Sequence, residues 1–236
     1  MPGYLTKQES LEIAGADDLV IRSLLDRQQF SDPLGVAERL GISSAAWPLF
    51  GLPWPSGAEL AALLLARPRR AGERILEIGC GLALASLAGH RRGDDVTASD
   101  CHPLAEAFLA SNLRLNGLPP MKYRHGHWGG APVSAEPDAS GTAPCVDGRF
   151  DLVIGSDVLY ERDADGSLAH FIQAHAEANA EVWIVDPDRG NRAAFSRRMR
   201  EHGFDLHETR LDHAAARRSS AYKGRLLVYR RGEARQ

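Results

Sequence analysis

The clearest indication of the fold comes from Arg74-Ile-Leu-Glu-Ile-Gly-Cys-Gly81. A short apolar run leads into two closely spaced glycines, and an apolar helical pattern follows at once, at residues 82–90. This order is typical of a buried parallel strand, a tight turn and a helix. Glycine lets the backbone bend sharply and approach a ligand, and a helix N-terminus offers unpaired N–H groups. The stretch therefore predicts a ligand site at the end of a strand.

Outward from this stretch, apolar runs alternate with helical patterns along most of the chain. Strands are predicted at 74–78, 95–99, 121–125, 150–155, 181–185, 204–211 and 225–229, and helices at 56–66, 82–90, 103–116, 165–180 and 191–202. Such alternation predicts an α/β fold in which helices cover both faces of a mostly parallel sheet. We therefore expect a three-layer αβα sandwich built on a Rossmann-like sheet.

Two segments fall outside this alternation. Residues 1–55 lack a clean apolar period and contain several prolines, and we expect an irregular N-terminal extension that packs on the main domain at 56–236. Ser56, with Glu59 three residues later, predicts a capping box at the start of that domain's first helix. Residues 129–148 are rich in small residues and proline, which predicts an inserted surface loop.

The composition excludes several classes of protein. The chain of 236 residues is 44% hydrophobic and 25% charged, which is ordinary for a globular protein. Cys80, Cys101 and Cys145 form neither a disulfide framework nor a zinc spacing, which favours a cytoplasmic setting and no metal. The longest apolar run, at residues 60–66, is too short to cross a membrane. Residues 189–236 carry 13 Lys and Arg against 5 Asp and Glu, which we interpret as solvated surface because no arginine-rich block has interleaved aromatics.

Glu77 and Asp100 bear on the identity of the ligand. A dinucleotide-binding turn reads Gly-x-Gly-x-x-Gly or Ala, whereas Leu84 stands at the last of these positions. Glu77 lies on the strand before the turn, where its negative charge opposes a pyrophosphate but suits a cationic ligand. Asp100 ends the next predicted strand, where an acidic residue is placed to accept hydrogen bonds from a ribose. S-adenosylmethionine, with a sulfonium, an ammonium, a ribose and no phosphate, fits these charges.

Four motifs together resemble a known family over roughly residues 45–230. Glu77-Ile-Gly-Cys-Gly81 is similar to the first motif of class I S-adenosylmethionine-dependent methyltransferases. Ile154-Gly-Ser-Asp-Val-Leu-Tyr160 resembles the Asp-x-x-Tyr motif of the family-16 protein-lysine methyltransferases, a group that includes the electron-transfer-flavoprotein β-subunit lysine methyltransferases. Leu52-Pro-Trp-Pro-Ser-Gly-Ala58 resembles the entry segment of that group, and Asp186-Pro-Asp-Arg189 is similar to an Asp-Pro-Gly-Arg segment found within it.

The resemblance implies a seven-stranded sheet with an antiparallel last strand, and S-adenosylmethionine as the cofactor. Asp157 and Tyr160 are then the expected catalytic residues, the first orienting an incoming amine and the second stacking against it. The expected cofactor-binding residues are Trp54, Glu77, Gly79, Cys80, Gly81, Asp100, Cys101, His102, Trp128 and Ser156. Two positions depart from the family. Ala83 replaces the third glycine of the family's turn. His127 stands where an acidic residue usually contacts adenine, and a backbone carbonyl is then expected to accept the hydrogen bond from the adenine amino group.

We interpret the chain as a methyltransferase that acts on a lysine of a protein substrate. A small-molecule N- or O-methyltransferase is the first alternative, because the extension and the 129–148 loop could cap a small pocket. A nucleic-acid methyltransferase or binding protein is disfavoured, because Ser156-Asp-Val-Leu-Tyr160 stands in place of an Asn-Pro-Pro-Tyr type motif. A non-catalytic cofactor-binding subunit is disfavoured by the presence of both Asp157 and Tyr160.

Overall fold

The computed structural model describes residues 3–126, 128, 144–160, 165–214 and 221–231. Its strands are β1 (Thr6–Leu11), β2 (Leu19–Leu24), β3 (Arg74–Ile78), β4 (Asp95–Asp100), β5 (Lys122–His125), β6 (Phe150–Ser156), β7 (Ala176–Asp186), β8 (Phe204–Arg210) and β9 (Arg225–Arg231). Its helices are α1 (Val36–Arg39), α2 (Pro55–Ala66), α3 (Leu84–Arg92), α4 (Ala105–Leu115), α5 (Ser167–His175) and α6 (Arg192–Glu201), with a short 3-10 helix at Trp47–Gly51. Within these ranges, no helix is long and apolar enough to span a membrane.

The strand of the glycine stretch, β3, lies at the centre of a seven-stranded sheet. The strand order is β5-β4-β3-β6-β7-β9-β8. The strands β3 to β7 run parallel to one another, and β9 runs antiparallel between β7 and β8. Ile75, Leu76 and Ile78 are buried, as expected for a central strand covered on both faces. The sheet confirms the predicted fold, including the antiparallel last strand.

The two faces of this sheet carry separate hydrophobic clusters, because successive side chains of a strand point to opposite faces. Ile75 belongs to the cluster that includes side chains of α2, α3 and α4. Leu76 belongs to the cluster that includes side chains of α5 and α6. The sheet and its two helical layers therefore form the expected three-layer sandwich. The glycine turn follows β3 at the carboxyl edge of the parallel strands, where α/β folds bind their ligands.

The N-terminal extension is more regular than the sequence indicated. The strands β1 and β2 form an antiparallel hairpin, so the prediction of an irregular segment is wrong for residues 6–24. Asn112 of α4 and Asn116, the residue that ends this helix, bond the backbone of β2. Asn112 accepts the N–H of Arg22 at 2.8 Å. Asn116 accepts the N–H of Val20 at 3.0 Å and donates to its carbonyl at 2.8 Å. Because these bonds come from side chains far away in the sequence, β2 shows no apolar period from which a strand could be predicted.

The predicted helix at 165–180 is wrong in its second part. The helix α5 ends at His175, and residues 176–180 open β7 instead. Their sequence, Ala-Glu-Ala-Asn-Ala, contains good helix formers, which is why the helix was predicted to continue. Pairing of Ala176 with Phe150 of β6, followed by a register shift, fixes this segment as strand. Tertiary pairing has overridden local propensity here.

The predicted capping box at the start of α2 is also wrong. The N-cap of this helix is Trp54, and no side chain caps it. The Ser56 hydroxyl instead hydrogen-bonds the Tyr222 hydroxyl at 2.8 Å. The strand predicted at 181–185 begins five residues earlier, at Ala176, and the remaining predicted strands and helices agree with the structure to within two residues at each end. Most of the predicted surface loop, at 129–143, lies outside the described residues.

Candidate active site

The glycine turn between β3 and α3 is built from backbone in the left-handed region. Gly79 and Gly81 have φ of 54° and 51°, values that residues with a Cβ rarely adopt. Ala83 also has a positive φ, 59°, and precedes α3 as its N-cap. A Cβ on Gly81 would stand 2.8 Å from the Phe50 carbonyl oxygen, and a Cβ on Gly79 would stand 2.9 Å from Val158. The turn therefore needs glycine for both its conformation and its close neighbours.

Glu77, near the end of β3, bonds the N-terminus of the helix that follows the turn. Its side chain is buried, and Oε2 accepts the backbone N–H of Ser86, in the first turn of α3, at 2.6 Å. Burial, together with the nearby Asp100 carboxylate, raises the pKa of the Glu77 carboxyl to about 7. The helix N-terminus favours the ionised form. A cationic group in the cavity would favour it further.

Asp100, at the end of β4, ties the glycine turn to the neighbouring strand. One carboxylate oxygen accepts the N–H of Gly81 and the other accepts the N–H of His102, both at 2.8 Å. Burial raises the pKa of this carboxyl. Cys80 lies on the turn and Cys101 follows the strand, and each carries a thiol that is not part of a disulfide. The two predicted acidic residues thus hold the shape of the turn as well as facing the cavity.

The His102 ring is buried against the segment that precedes α2. It stacks on the Phe50 ring with centroids 3.6 Å apart and 11° between the planes. Its Nδ1 accepts a hydrogen bond from the backbone N–H of Leu104 at 3.2 Å, so the ring proton is on Nε2. Among the described residues, Nε2 has no hydrogen-bond partner. Burial lowers the pKa of this imidazole to about 3, so the ring is neutral and keeps one unused donor.

Trp54 fixes the entry segment at the cavity wall. Its indole N–H donates to the Leu49 carbonyl at 2.8 Å. The guanidinium of Arg27 lies 4.9 Å from the centre of its ring, within the range of a cation–π contact. Arg27 and Trp54 both line the cavity, so the N-terminal extension contributes part of the wall.

Trp128 and Ser156 lie on the walls around the first glycine. The Trp128 ring would be 3.2 Å from a Cβ on Gly79, and it makes an edge contact with Phe171 at 5.8 Å. Ser156 is the last residue of β6 and lines the same cavity. His127, whose role toward adenine the sequence left open, lies outside the described residues.

Asp157, directly after β6, combines an unusual backbone with a charged partner. Its φ of 57° lies in the left-handed region, where a residue with a Cβ is strained. Its Oδ1 accepts hydrogen bonds from Nη2 and Nε of Arg189 at 2.7 and 3.3 Å. Asp157 is buried, whereas Tyr160 is 47% exposed, so the carboxylate lies deeper than the phenol. No site role was predicted for Arg189, although the likeness of its segment to Asp-Pro-Gly-Arg was a signal.

A single cavity of about 1160 Å³ brings these residues together. All twelve residues predicted for the site line it: Trp54, Glu77, Gly79, Cys80, Gly81, Asp100, Cys101, His102, Trp128, Ser156, Asp157 and Tyr160. Its volume suits a nucleoside-containing ligand. Other residues on its wall, which the sequence did not select, include Arg27, Arg39, Phe50, Val158 and Arg189. No group of three His, Cys, Asp or Glu in the described ranges could hold a metal ion.

The strand order, the glycine turn and the acidic ends of β3 and β4 define a class I S-adenosylmethionine-dependent methyltransferase. Solved structures share this fold. A methyltransferase from Pyrococcus furiosus aligns over 72% of this chain and 81% of its own, with a TM-score of 0.53 and 18% identity. Magnesium protoporphyrin IX methyltransferase from Synechocystis, with bound S-adenosylmethionine, aligns over 75% of this chain and 78% of its own, with a TM-score of 0.50 and 17% identity.

The sequence narrows the class further. A family model described as lysine methyltransferase matches residues 53–202. The chain belongs to this lysine methyltransferase family. The electron transfer flavoprotein beta subunit lysine methyltransferase of Mus musculus is 26% identical to the chain over 194 residues, which are 80% of this chain and 69% of that enzyme.

Proposed function

We propose that the chain transfers a methyl group from S-adenosylmethionine to the side-chain amine of a lysine in a protein substrate. The observation that carries this proposal is the meeting, in one cavity, of the glycine turn after β3 and the Asp157 carboxylate after the adjacent strand β6. Membership of the lysine methyltransferase family supports an amine acceptor. The name of the mouse relative makes an electron transfer flavoprotein β subunit the first candidate acceptor.

The cavity residues fit the proposed cofactor. When bound, S-adenosylmethionine supplies a methyl group on a positively charged sulfonium. Glu77 offers a buried carboxylate to its ammonium group, and Asp100 offers acceptor oxygens to its ribose hydroxyls. The unused Nε2–H of His102 can donate to an oxygen of the ligand. The remaining proposed contacts come from Trp54, Gly79, Cys80, Gly81, Cys101, Trp128 and Ser156.

The acceptor lysine must be neutral when it attacks. Because the pKa of a free lysine is about 10.4, deprotonation at pH 7 costs about 4–5 kcal/mol. Removal from water and the nearby positive charge of the cofactor both lower that pKa. Asp157 accepts a hydrogen bond from the amine and orients it toward the methyl group. Tyr160, at the exposed rim of the cavity, stacks against the incoming lysine.

Tritium transfer from S-adenosylmethionine into a host-cell lysate tests this proposal. We expect label that is removed by protease, resists nuclease and elutes as methyllysine after hydrolysis, and we expect a purified electron transfer flavoprotein β subunit to be labelled in parallel. Asp157→Asn should lower the rate about 100-fold, because the one oxygen of the asparagine amide bonds Arg189 and the amine then meets an NH2 donor in place of an acceptor. Asp205→Asn, the same change at an exposed position on β8, serves as the control and should leave the rate unchanged.

Other outcomes would redirect the proposal. Label in the small-molecule fraction would favour the small-molecule alternative, and nuclease-sensitive label would favour a nucleic-acid acceptor. A wild-type rate for Asp157→Asn would show that this carboxylate does not orient the amine.

A further inference from the structure

Arg189 bonds only one oxygen of the carboxylate that the proposed lysine needs. Its Nη2 and Nε lie 2.7 and 3.3 Å from Oδ1 of Asp157. Among the residues that the structure describes, Oδ2 has no hydrogen-bond partner. Both side chains line the cavity, with 11% of the Asp157 side chain and 34% of the Arg189 side chain exposed. The guanidinium therefore stands beside the proposed amine position and leaves one carboxylate oxygen open to it.

The backbone around Arg189 supports this arrangement. Arg189 follows β7, the neighbour of β6, and its N–H donates to Oδ1 of the buried Asp186 at 2.7 Å. Asn191 donates from Nδ2 to the carbonyl of Leu159 at 2.9 Å. This bond is a second connection, besides the Arg189–Asp157 pair, between the segments that follow β6 and β7. A surface arginine without such support loses side-chain entropy when it forms an ion pair, and the pair contributes little. Here the segment is already held in place.

We propose that Arg189 is a positioning residue that keeps the acceptor amine in its neutral, nucleophilic form, an inference that rests on the proposed function. An unpaired Asp157 carboxylate would stabilise the lysine as an ammonium ion, which has no lone pair for attack. The guanidinium offsets that carboxylate and adds a positive charge near the amine, so the proton is released more easily. The free Oδ2 still accepts an N–H hydrogen bond and orients the amine.

The order of steps follows from the charges. The ammonium first gives a proton to water at the cavity mouth. The neutral amine then uses its lone pair to form the N–C bond while the S–C bond breaks, and the electron pair of that bond stays on sulfur. The positive charge passes to the methylated amine. Asp157 keeps its negative charge throughout, because it accepts a hydrogen bond and takes no proton.

Other titratable groups surround the same place. Those around the Asp157–Arg189 pair are Tyr160, Asp165, Asp186, Arg192 and Tyr222. Burial raises the pKa of Asp186, and Asp157 raises it as well. Burial and the Asp157 carboxylate also raise the pKa of Tyr222. A variant of Arg189 retains all five groups, so a difference between its pH profile and that of the wild type reports the loss of the guanidinium.

The pH dependence of kcat tests this inference. The acceptor is purified electron transfer flavoprotein β subunit at saturation, or the principal protein labelled in the lysate if that differs. Arg189→Gln and Arg189→Met should lower kcat about tenfold at pH 7, and kcat of both variants should approach the wild-type value near pH 9. The reason is that the rising limb of the plot of kcat against pH moves up by about one pH unit. The acceptor KM should not rise. Arg189→Lys retains the charge and should retain the wild-type limb.

A matched control and a second measurement separate the explanations. Arg200→Gln removes an exposed arginine of α6 that does not line the cavity, and it should keep the wild-type profile. Calorimetric titration with S-adenosylhomocysteine should give equal affinities for all variants. A loss in Arg189→Gln by the same factor at every pH would overturn the inference, as would a gain in kcat at pH 7, which would mean that the arginine occupies the place of the amine.

The failure of this inference is distinguishable from failure of the proposed function. If the wild type labels no lysine, the proposed function fails and this inference fails with it. If the wild type labels lysine while both neutral variants keep the wild-type limb, only the role of Arg189 fails.

Discussion

Glu77 meets two opposing demands. A carboxylate that is removed from water is unfavourable, and burial raises its pKa to about 7 from a usual value of 4.5. The Ser86 N–H and the helix N-terminus offset part of this cost. An ammonium group of the proposed cofactor would offset more. Without the cofactor, the residue that we expect to bind it therefore destabilises the protein at neutral pH.

Glu77→Gln should reverse this balance. Because the folded-state pKa is raised, the wild type has its full stability below about pH 4.5 and loses it as the pH rises through 7, by about 1.4 kcal/mol per unit between these values. Glutamine is neutral throughout and lacks this loss. In thermal melts without ligand, Tm of the variant relative to the wild type should therefore be higher at pH 8 than at pH 5. Its affinity for S-adenosylmethionine should fall at least tenfold, measured by calorimetry.

Two observations would contradict this account of Glu77. One is a Tm difference that does not change with pH. The other is a wild-type affinity for S-adenosylmethionine in the variant.

At the scale of elements, α4 acts as a partner of the N-terminal hairpin. Asn112 is fully buried, and its amide accepts the N–H of Arg22 on β2. Asn116, one turn later, bonds both backbone groups of Val20. The Arg22 N–H is partly buried, and a buried N–H without a partner costs about as much as a lost hydrogen bond. The two asparagines thus serve β2 as a neighbouring strand would.

Asn112→Ala should loosen the hairpin on α4. It leaves the Arg22 N–H without its acceptor and removes buried volume, and we expect a loss of about 1–3 kcal/mol in the free energy of unfolding. Denaturant titration measures the loss. Hydrogen exchange should show faster exchange of the Arg22 amide, while the amides of β3 keep their protection. Ser111→Ala, the preceding residue on the same helix, is the control. Equal protection of Arg22 in both variants would mean that this bond contributes little.

At the scale of the whole molecule, Trp47 joins the N-terminal extension to the site. Its ring is 1% exposed and lies 5.7 Å from Tyr4 and 5.8 Å from Phe30, both in the extension. It also lies 5.8 Å from Phe50 and 5.4 Å from His102, which form part of the cavity wall. Aromatic pairs at such separations add to the stability gained by burial. The extension therefore belongs to the same packed core as the glycine turn.

Trp47→Ala should affect both stability and cofactor binding. Loss of a fully buried tryptophan costs about 3–5 kcal/mol, and it removes the support behind Phe50 and His102. We expect a lower denaturation midpoint and a weaker affinity for S-adenosylhomocysteine by calorimetry. Phe30→Ala, whose ring is 51% exposed, should cost less and leave the affinity unchanged. An unchanged midpoint for Trp47→Ala would show that the extension packs independently of the site.

Amino-acid patterns were enough to predict the strands of the sheet and most of the helices, and the resemblance to a family supplied most of the residues that gather in the cavity. The strands, the helices and the glycine turn follow from local patterns, because apolar periodicity reports which face of an element is buried and the Gly79–Gly81 turn needs backbone that only glycine adopts easily. The tertiary structure alone decided that β2 is a strand, that residues 176–180 extend β7, and that Arg189 pairs with Asp157. Each of these depends on a partner far away in the chain, and no short pattern records which distant groups will satisfy a backbone or a charge.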